Sequence, residues 1–225
     1  EDNLAHQLIK SSRLGLEPLL LEANVIPSEE RDERISQWLK YREEVFADPE
    51  KIRTEGLYVL NGIERIVNDF NSTVHFKFAT RTPWRIWGEV KRHRTMDQEA
   101  ESIYDAIERS TEYVRVAEEK QITDQSELIK HYAGIFSIPK KVAERQDNLI
   151  DWVDAFTASI KAYNQLVEMG VSKSDAVSLI PRGIMLSVIK NYNLSNATLG
   201  YASLRSCQKV EPEMRLITNS EINMM

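Results

Sequence analysis

The sequence is short of most things that would announce a function on their own. A single cysteine, Cys207, excludes an intramolecular disulfide. One cysteine and four scattered histidines (His6, His75, His93, His131) offer no metal-ligand spacing. Only eight glycines and seven prolines interrupt 225 residues, and charged residues make up 28%, so long regular elements around a buried core are expected rather than disorder. No apolar run reaches the roughly 18 residues of a membrane span, and residues 1 to 25 lack a signal-peptide pattern. These absences suggest a reducing, cytoplasmic setting. A net charge of −6 argues against a broad nucleic-acid or anionic-membrane surface, so any bound anion should be small. There is no Gly-rich phosphate loop, no Gly-x-Ser-x-Gly elbow, and no base near Cys207 in sequence. Covalent catalysis by Ser or Cys is therefore unsupported, and Cys207 reads as a small buried or half-buried residue.

What is present is a basic tetrad in an otherwise acidic chain: GEVKRHRTMDQEAESIY, residues 88 to 104, carries Lys91, Arg92, His93 and Arg94 in succession. Such a run is commonly a solvated helix face or a partner for nearby acids, here Asp97, Glu99 and Glu101. The sharper alternative is a small-anion site, because paired arginine donors match a phosphate. Spacing alone does not separate the two.

The surrounding pattern is helix-rich. The first seventy residues read as an N-terminal helical segment. Residues 29 to 46 place Ile35, Trp38, Leu39 and Val45 or Phe46 at helical spacing, and residues 56 to 69 do the same with Leu57, Leu60, Ile63 and Val67, as amphipathic core helices. From Val74 to Thr80 the period changes to two, the signature of a half-buried strand. Thr82 and Pro83 then look like an N-cap and first-turn proline for a helix carrying Trp84, Trp87 and the tetrad. Both tryptophans are expected in the core rather than stacked on a ligand, and His75 on the surface.

Helical patterns follow over 98 to 119, 123 to 136 and 140 to 168. The last is the strongest, with Leu149, Trp152, Val153, Phe156, Ile160, Tyr163 and Val167 on one face and Gly170 at its end. Ser172 opens a short helix with Asp175 three residues on, Pro181 closes it, and an apolar strand from Ile184 to Ile189 leads through Asn191-Tyr192-Asn193 to a helix with Leu199, Tyr201, Leu204 and Arg205.

At two places these patterns resemble a known family. FNSTVHFKFATRTPWRIWGEVKRHR and YNQLVEMGVSKSDAVSLIPRGIMLSVIKNYNLSNATLGYASLR are similar to the two conserved blocks of the flavin-dependent thymidylate synthases, the ThyX family. The resemblance covers about residues 70 to 104 and 160 to 215. It implies an α+β fold, helix-rich with a small central sheet, in which residues 71 to 225 form the flavin-binding core. It further implies a homotetramer with FAD at subunit interfaces, NADPH and methylenetetrahydrofolate as co-substrates, and transfer of a one-carbon unit to C5 of a pyrimidine nucleotide, dUMP in the family. No protein nucleophile is needed for that chemistry. Carried over by position, Arg92, His93 and Arg94 would contact FAD together with Asn193 and Asn196. Arg92, Ser102, Arg205 and Glu89 would face the nucleotide, with Arg205 polarising the pyrimidine ring.

Departures from the family pattern are equally specific. Glu89 stands where the family has Gln; Asp97, Glu99 and Tyr104 replace its Ser, Asn and final Arg; and Val177 replaces a further Arg. Each lost charge-assisted phosphate contact costs about 1.5 to 3 kcal/mol, so two should weaken dUMP about a hundredfold or more. Three readings accommodate this: a member with a less anionic or larger pyrimidine substrate, one half of a tandem protein (the start at Glu1 and an end shortly after residues 211 to 215 are expected of one), or a catalytically degenerate relative serving as an interaction module. Were the resemblance accidental, the chain would be a mostly helical domain offering its basic face to an acidic partner.

Overall fold

A computed structural model describes residues 15 to 225. Four antiparallel strands, β1 (Leu19–Val25), β2 (Val74–Pro83), β3 (Asp97–Ala100) and β4 (Met185–Asn193), form a sheet in the order β1-β2-β4-β3. Eleven helices surround it among the described residues: α1 (Glu29–Phe46), α2 (Pro49–Asp69), α3 (Trp84–Val90), α4 (Ile103–Glu119), α5 (Gln125–Tyr132), α6 (Lys140–Ala143), α7 (Gln146–Glu168), α8 (Lys173–Ala176), α9 (Leu194–Thr198), α10 (Tyr201–Arg205) and α11 (Pro212–Met224). The expected helix-rich α+β architecture with a small sheet is what is found.

Strand β1 was not expected within a helical segment. Its seven residues are almost all exposed, because it is an edge strand joined to β2 by backbone hydrogen bonds, with a bulge between Leu20 and Glu22. Without a buried face it shows no alternation in sequence. Helix α1 begins at the Ser28 cap, whose hydroxyl accepts from Arg31 N at 3.2 Å. Arg31, buried beneath it, donates to Ile26 O and to Thr73 Oγ1, tying the helix start to the sheet.

Asp48 caps α2 with Pro49 in its first turn, so that pair starts the second helix as well as separating it from the first. Its buried stripe is Gly56, Val59, Ile66 and Val67, and the expected core residues Leu57 and Leu60 lie 74% and 60% exposed. Apolar residues occur on several faces of this helix, and the packing against α1 selected a stripe that periodicity could not. Gly62 is obligatory there: a Cβ would sit 1.8 Å from the Trp38 indole nitrogen.

The scaffold expectation for residues 140 to 168 is met by α6 and α7, broken at Glu144 and Arg145. Leu149, Val153, Phe156, Ile160 and Tyr163 are buried, and Phe156 stacks on Phe136 with centroids 4.1 Å apart. Gly170 adopts φ +92° after the last turn, a conformation that strains any residue with a Cβ. Trp84 and Trp87 pack against the core as expected. His75 is exposed, while Cys207 is exposed too, contrary to the buried placement inferred from its residue type.

Around the tetrad the structure corrects several expectations. Strand β2 continues through Thr82 and Pro83, so Thr82 does not cap a helix; its hydroxyl is buried and has no partner among the described residues. The orphan amides at the start of α3 find other acceptors, Trp84 N donating to Ile184 O at 2.8 Å and Arg85 N to Arg182 O at 2.9 Å. Helix α3 ends at Val90, leaving the tetrad in a turn, and residues 97 to 100 pair with β4 instead of joining the next helix. Ladder bonds to β4 outweigh the helical propensity of the acidic stretch. Two short helices broken at Gly200 replace the single helix expected after Asn193, and α11 follows from Pro212.

Candidate functional site

Three elements converge on the tetrad: the end of α3, the α9–α10 pair, and β3 with the turn leading into it. The turn is held from both sides. The Asn196 side-chain nitrogen donates to Thr95 O at 3.0 Å, its oxygen accepts from Thr95 Oγ1 at 3.2 Å, and the Gln98 amide donates to His93 O at 3.2 Å. Asn196 is itself fixed by Asn193, whose side-chain oxygen accepts from both the Asn196 amide and its side chain. These two asparagines, expected at a cofactor, are bound internally as the brace of the basic turn.

His93 is half-buried and meets the Tyr201 ring edge-on, with centroids 5.4 Å apart. Burial and the neighbouring Arg205 guanidinium both lower its pKa, favouring the neutral imidazole. Arg205, at the end of α10, donates to Glu89 O at 3.0 Å, and its other terminal nitrogen lies 3.4 Å from the Glu89 carboxylate. Its Nε–H is buried and has no partner among the described residues. Arg205, distant in sequence, thus joins Glu89 and His93 in one cluster.

Arg92 and Arg94 are exposed. The local ion pairing considered for the tetrad is not what forms: Glu101 pairs with Arg109 and Glu89 with Arg205, and among the described residues no carboxylate is paired with Lys91, Arg92 or Arg94. Ser102 is not gathered into the cluster. It lies past β3, whose four residues span about 13 Å, and its hydroxyl accepts from Asp105 N at 3.1 Å as the N-cap of α4. Tyr104 is exposed on that helix, and Val177 packs, half-buried, against the helical core.

Below the cluster is a charge pair that sequence reasoning missed. Lys190 and Glu221 are fully buried, 2.8 Å apart. Glu221 also accepts from Thr80 Oγ1 at 2.8 Å and Tyr192 OH at 2.5 Å, and the Lys190 ammonium lies 5.4 Å from the centroid of the Tyr201 ring. A signal existed: along β4 Lys190 shares the inward register of Val188 and Tyr192, a core position held by a cation.

The family profile described as thymidylate synthase complementing protein, Thy1, matches residues 28 to 225. The chain belongs to the Thy1 (ThyX) family. Its fold is that of solved ThyX structures: thymidylate synthase X from Helicobacter pylori, determined with FAD and dUMP, superposes with a TM-score of 0.60 at 14% identity over 93% of both chains. A second structure of that enzyme, also with FAD and dUMP, gives 0.59 at 13% identity, covering 93% of this chain and 94% of the other. PolB from Streptomyces cacaoi, a UMP/dUMP methylase bound with 5-Br UMP, gives 0.54 at 14% identity over 92% of this chain and 86% of that one. No curated protein matches the chain by sequence. Among its described residues this ThyX-family chain has no helix long and apolar enough to cross a membrane.

Proposed function

We propose that the chain catalyses flavin-dependent transfer of a one-carbon unit to C5 of a pyrimidine nucleotide, as a thymidylate synthase-like enzyme. The observation that carries this reading is the braced basic turn: Arg92 and Arg94 lie exposed on it with no carboxylate partner among the described residues, beside a cluster of His93, Arg205 and Glu89. The donor set suits FAD, since two exposed guanidinium forks match the oxygens of a diphosphate and an imidazole of lowered pKa can lie against a flat ring system. Family membership and the FAD of the H. pylori structures support the same cofactor. Bound flavin would supply the redox step that turns the transferred carbon into a methyl group.

The chain's own residues have separable tasks. Arg92 and Arg94 bind phosphate, and Asn193 with Asn196 keep their turn rigid. Arg205 places a cation where negative charge develops on the pyrimidine ring. Glu89 holds Arg205 in place and presents a carboxylate that accepts hydrogen bonds from the base. Ser102 still has a hydroxyl hydrogen to donate, and sits at the positive end of a 17-residue helix, a favourable place for a phosphate. NADPH and methylenetetrahydrofolate would act as co-substrates, in a cytoplasmic homotetramer. Exposed Leu57, Tyr58 and Leu60 on α2 are consistent with further subunit burial.

The visible spectrum of the purified protein, first with added FAD and then with dUMP, tests the proposal. An oxidised-flavin spectrum perturbed by a pyrimidine nucleotide is the expected result. A protein that takes up no flavin at excess FAD would overturn it.

A further inference from the structure

We infer that Glu221, on α11, is a positioning residue for this site: through Lys190 it fixes Tyr201, and through Tyr201 the placement of His93 and Arg205. The inference deepens the flavin reading and rests on it for one of its two measurements.

The argument starts from the oddity of a lysine in the core. Lys190 has no solvent exposure and neither does Glu221. Taking both charges out of water costs several kcal/mol per ion, and an apolar pair of similar volume at such a position is commonly neutral or stabilising. Stability alone therefore gives no reason for the pair. What the charges do, geometrically, is join three elements. Glu221 gathers donors from β2 (Thr80) and from β4 (Lys190 and Tyr192), so one carboxylate locks α11 to two neighbouring strands. The ammonium thus held lies over the face of Tyr201, the first residue of α10.

Tyr201 is fully buried, and its ring is set from several sides. Tyr192, itself bonded to Glu221, meets it edge-on at 5.6 Å, and Met214 of α11 receives its hydroxyl at 3.9 Å. Its remaining contact of note is His93, at 5.4 Å and 86°. The same ring therefore reads the buried charge below and supports the imidazole above. Since Tyr201 opens α10 and Arg205 ends it four residues later, a shift of the ring moves the guanidinium as well. The buried pair is thus aimed at an aromatic ring that touches the basic turn.

The test uses the full chain with two variants, Glu221→Gln and the apolar double variant Lys190→Met/Glu221→Leu, and Ile217→Val as a control elsewhere on α11. The first measurement is the position of the His93 ring signals in proton–carbon NMR, identified by their loss in His93→Gln. The second is the dissociation constant for FAD. In both charge variants the His93 signals are expected to move and the FAD dissociation constant to rise about tenfold or more. The double variant should keep wild-type thermal stability, which separates placement from folding, and Ile217→Val should change neither readout. His93 signals at wild-type positions in the double variant would overturn the inference. If the wild-type protein itself takes up no FAD, the functional reading fails, and the His93 signals still decide this one.

Discussion

Arg205 reaches across 116 residues of sequence to donate to the backbone oxygen of Glu89, while the Glu89 carboxylate stands 3.4 Å from its other terminal nitrogen. The residue expected to polarise the substrate ring is thereby held by the residue that departs from the family pattern. Arg205 is mostly buried and Glu89 is 41% exposed, so the pair is partly screened and contributes at most about 1 kcal/mol. Replacing Glu89 by Gln should therefore cost little stability and, by removing a negative charge near an anionic ligand, tighten dUMP binding. Calorimetric titration of the variant checks this; unchanged or weaker dUMP affinity would contradict it.

Arg92 and Arg94 are exposed and contribute no packing, so Arg92→Ala and Arg94→Ala should fold normally. Each should nevertheless lose flavin, because a charge-assisted phosphate contact is worth about 1.5 to 3 kcal/mol. Circular dichroism with flavin absorbance after gel filtration reads both at once. Wild-type flavin content in both variants would remove these residues from the site.

On the family resemblance Tyr104 and Val177 take the places of arginines, which implies weak dUMP binding by the wild-type protein. Tyr104 is exposed on α4, so an arginine is tolerated there without repacking. Tyr104→Arg should lower the dUMP dissociation constant about tenfold or more. Micromolar binding by the wild-type protein would sink the premise.

The pH dependence has two limbs. His93 binds its proton less readily folded than unfolded, so its contribution to stability is complete above its ordinary pKa of about 6.5 and is lost as pH falls through the lowered value. At the alkaline end, burial raises the Tyr192 and Tyr201 pKa values. For Lys190 burial pulls down, but the Glu221 carboxylate outweighs it, and the net direction is up. The unfolded chain then releases those protons first, and stability falls as pH rises above about 10. Denaturant midpoints against pH should show both declines, the alkaline one losing its lysine component in Lys190→Met/Glu221→Leu.

Phe156 is fully buried at the centre of α7, stacked on Phe136. Phe156→Ala should cost about 3 to 5 kcal/mol, measured by denaturant unfolding, with the Glu89–His93–Arg205 cluster intact in the folded fraction.

Sequence alone determined the elements whose signal is local. The α1 boundaries, the buried face of α7, the positive φ at Gly170 and the alternation of β2 all follow from spacing and capping within a few residues, and the basic tetrad is visible as a composition. The block that ends in it, with a second block over residues 163 to 205, carried the family resemblance. Only the tertiary structure decided where the tetrad's ends lie, that Asn196 braces the turn, and that Glu89, His93 and Arg205 form one cluster. The same is true of β1 and β3, whose pairing is made by backbone bonds to distant strands, and of Lys190, whose charge is tolerable only because Glu221 arrives from the far end of the chain. Such relationships depend on loop closure and on which partner lies opposite, quantities that no local periodicity contains.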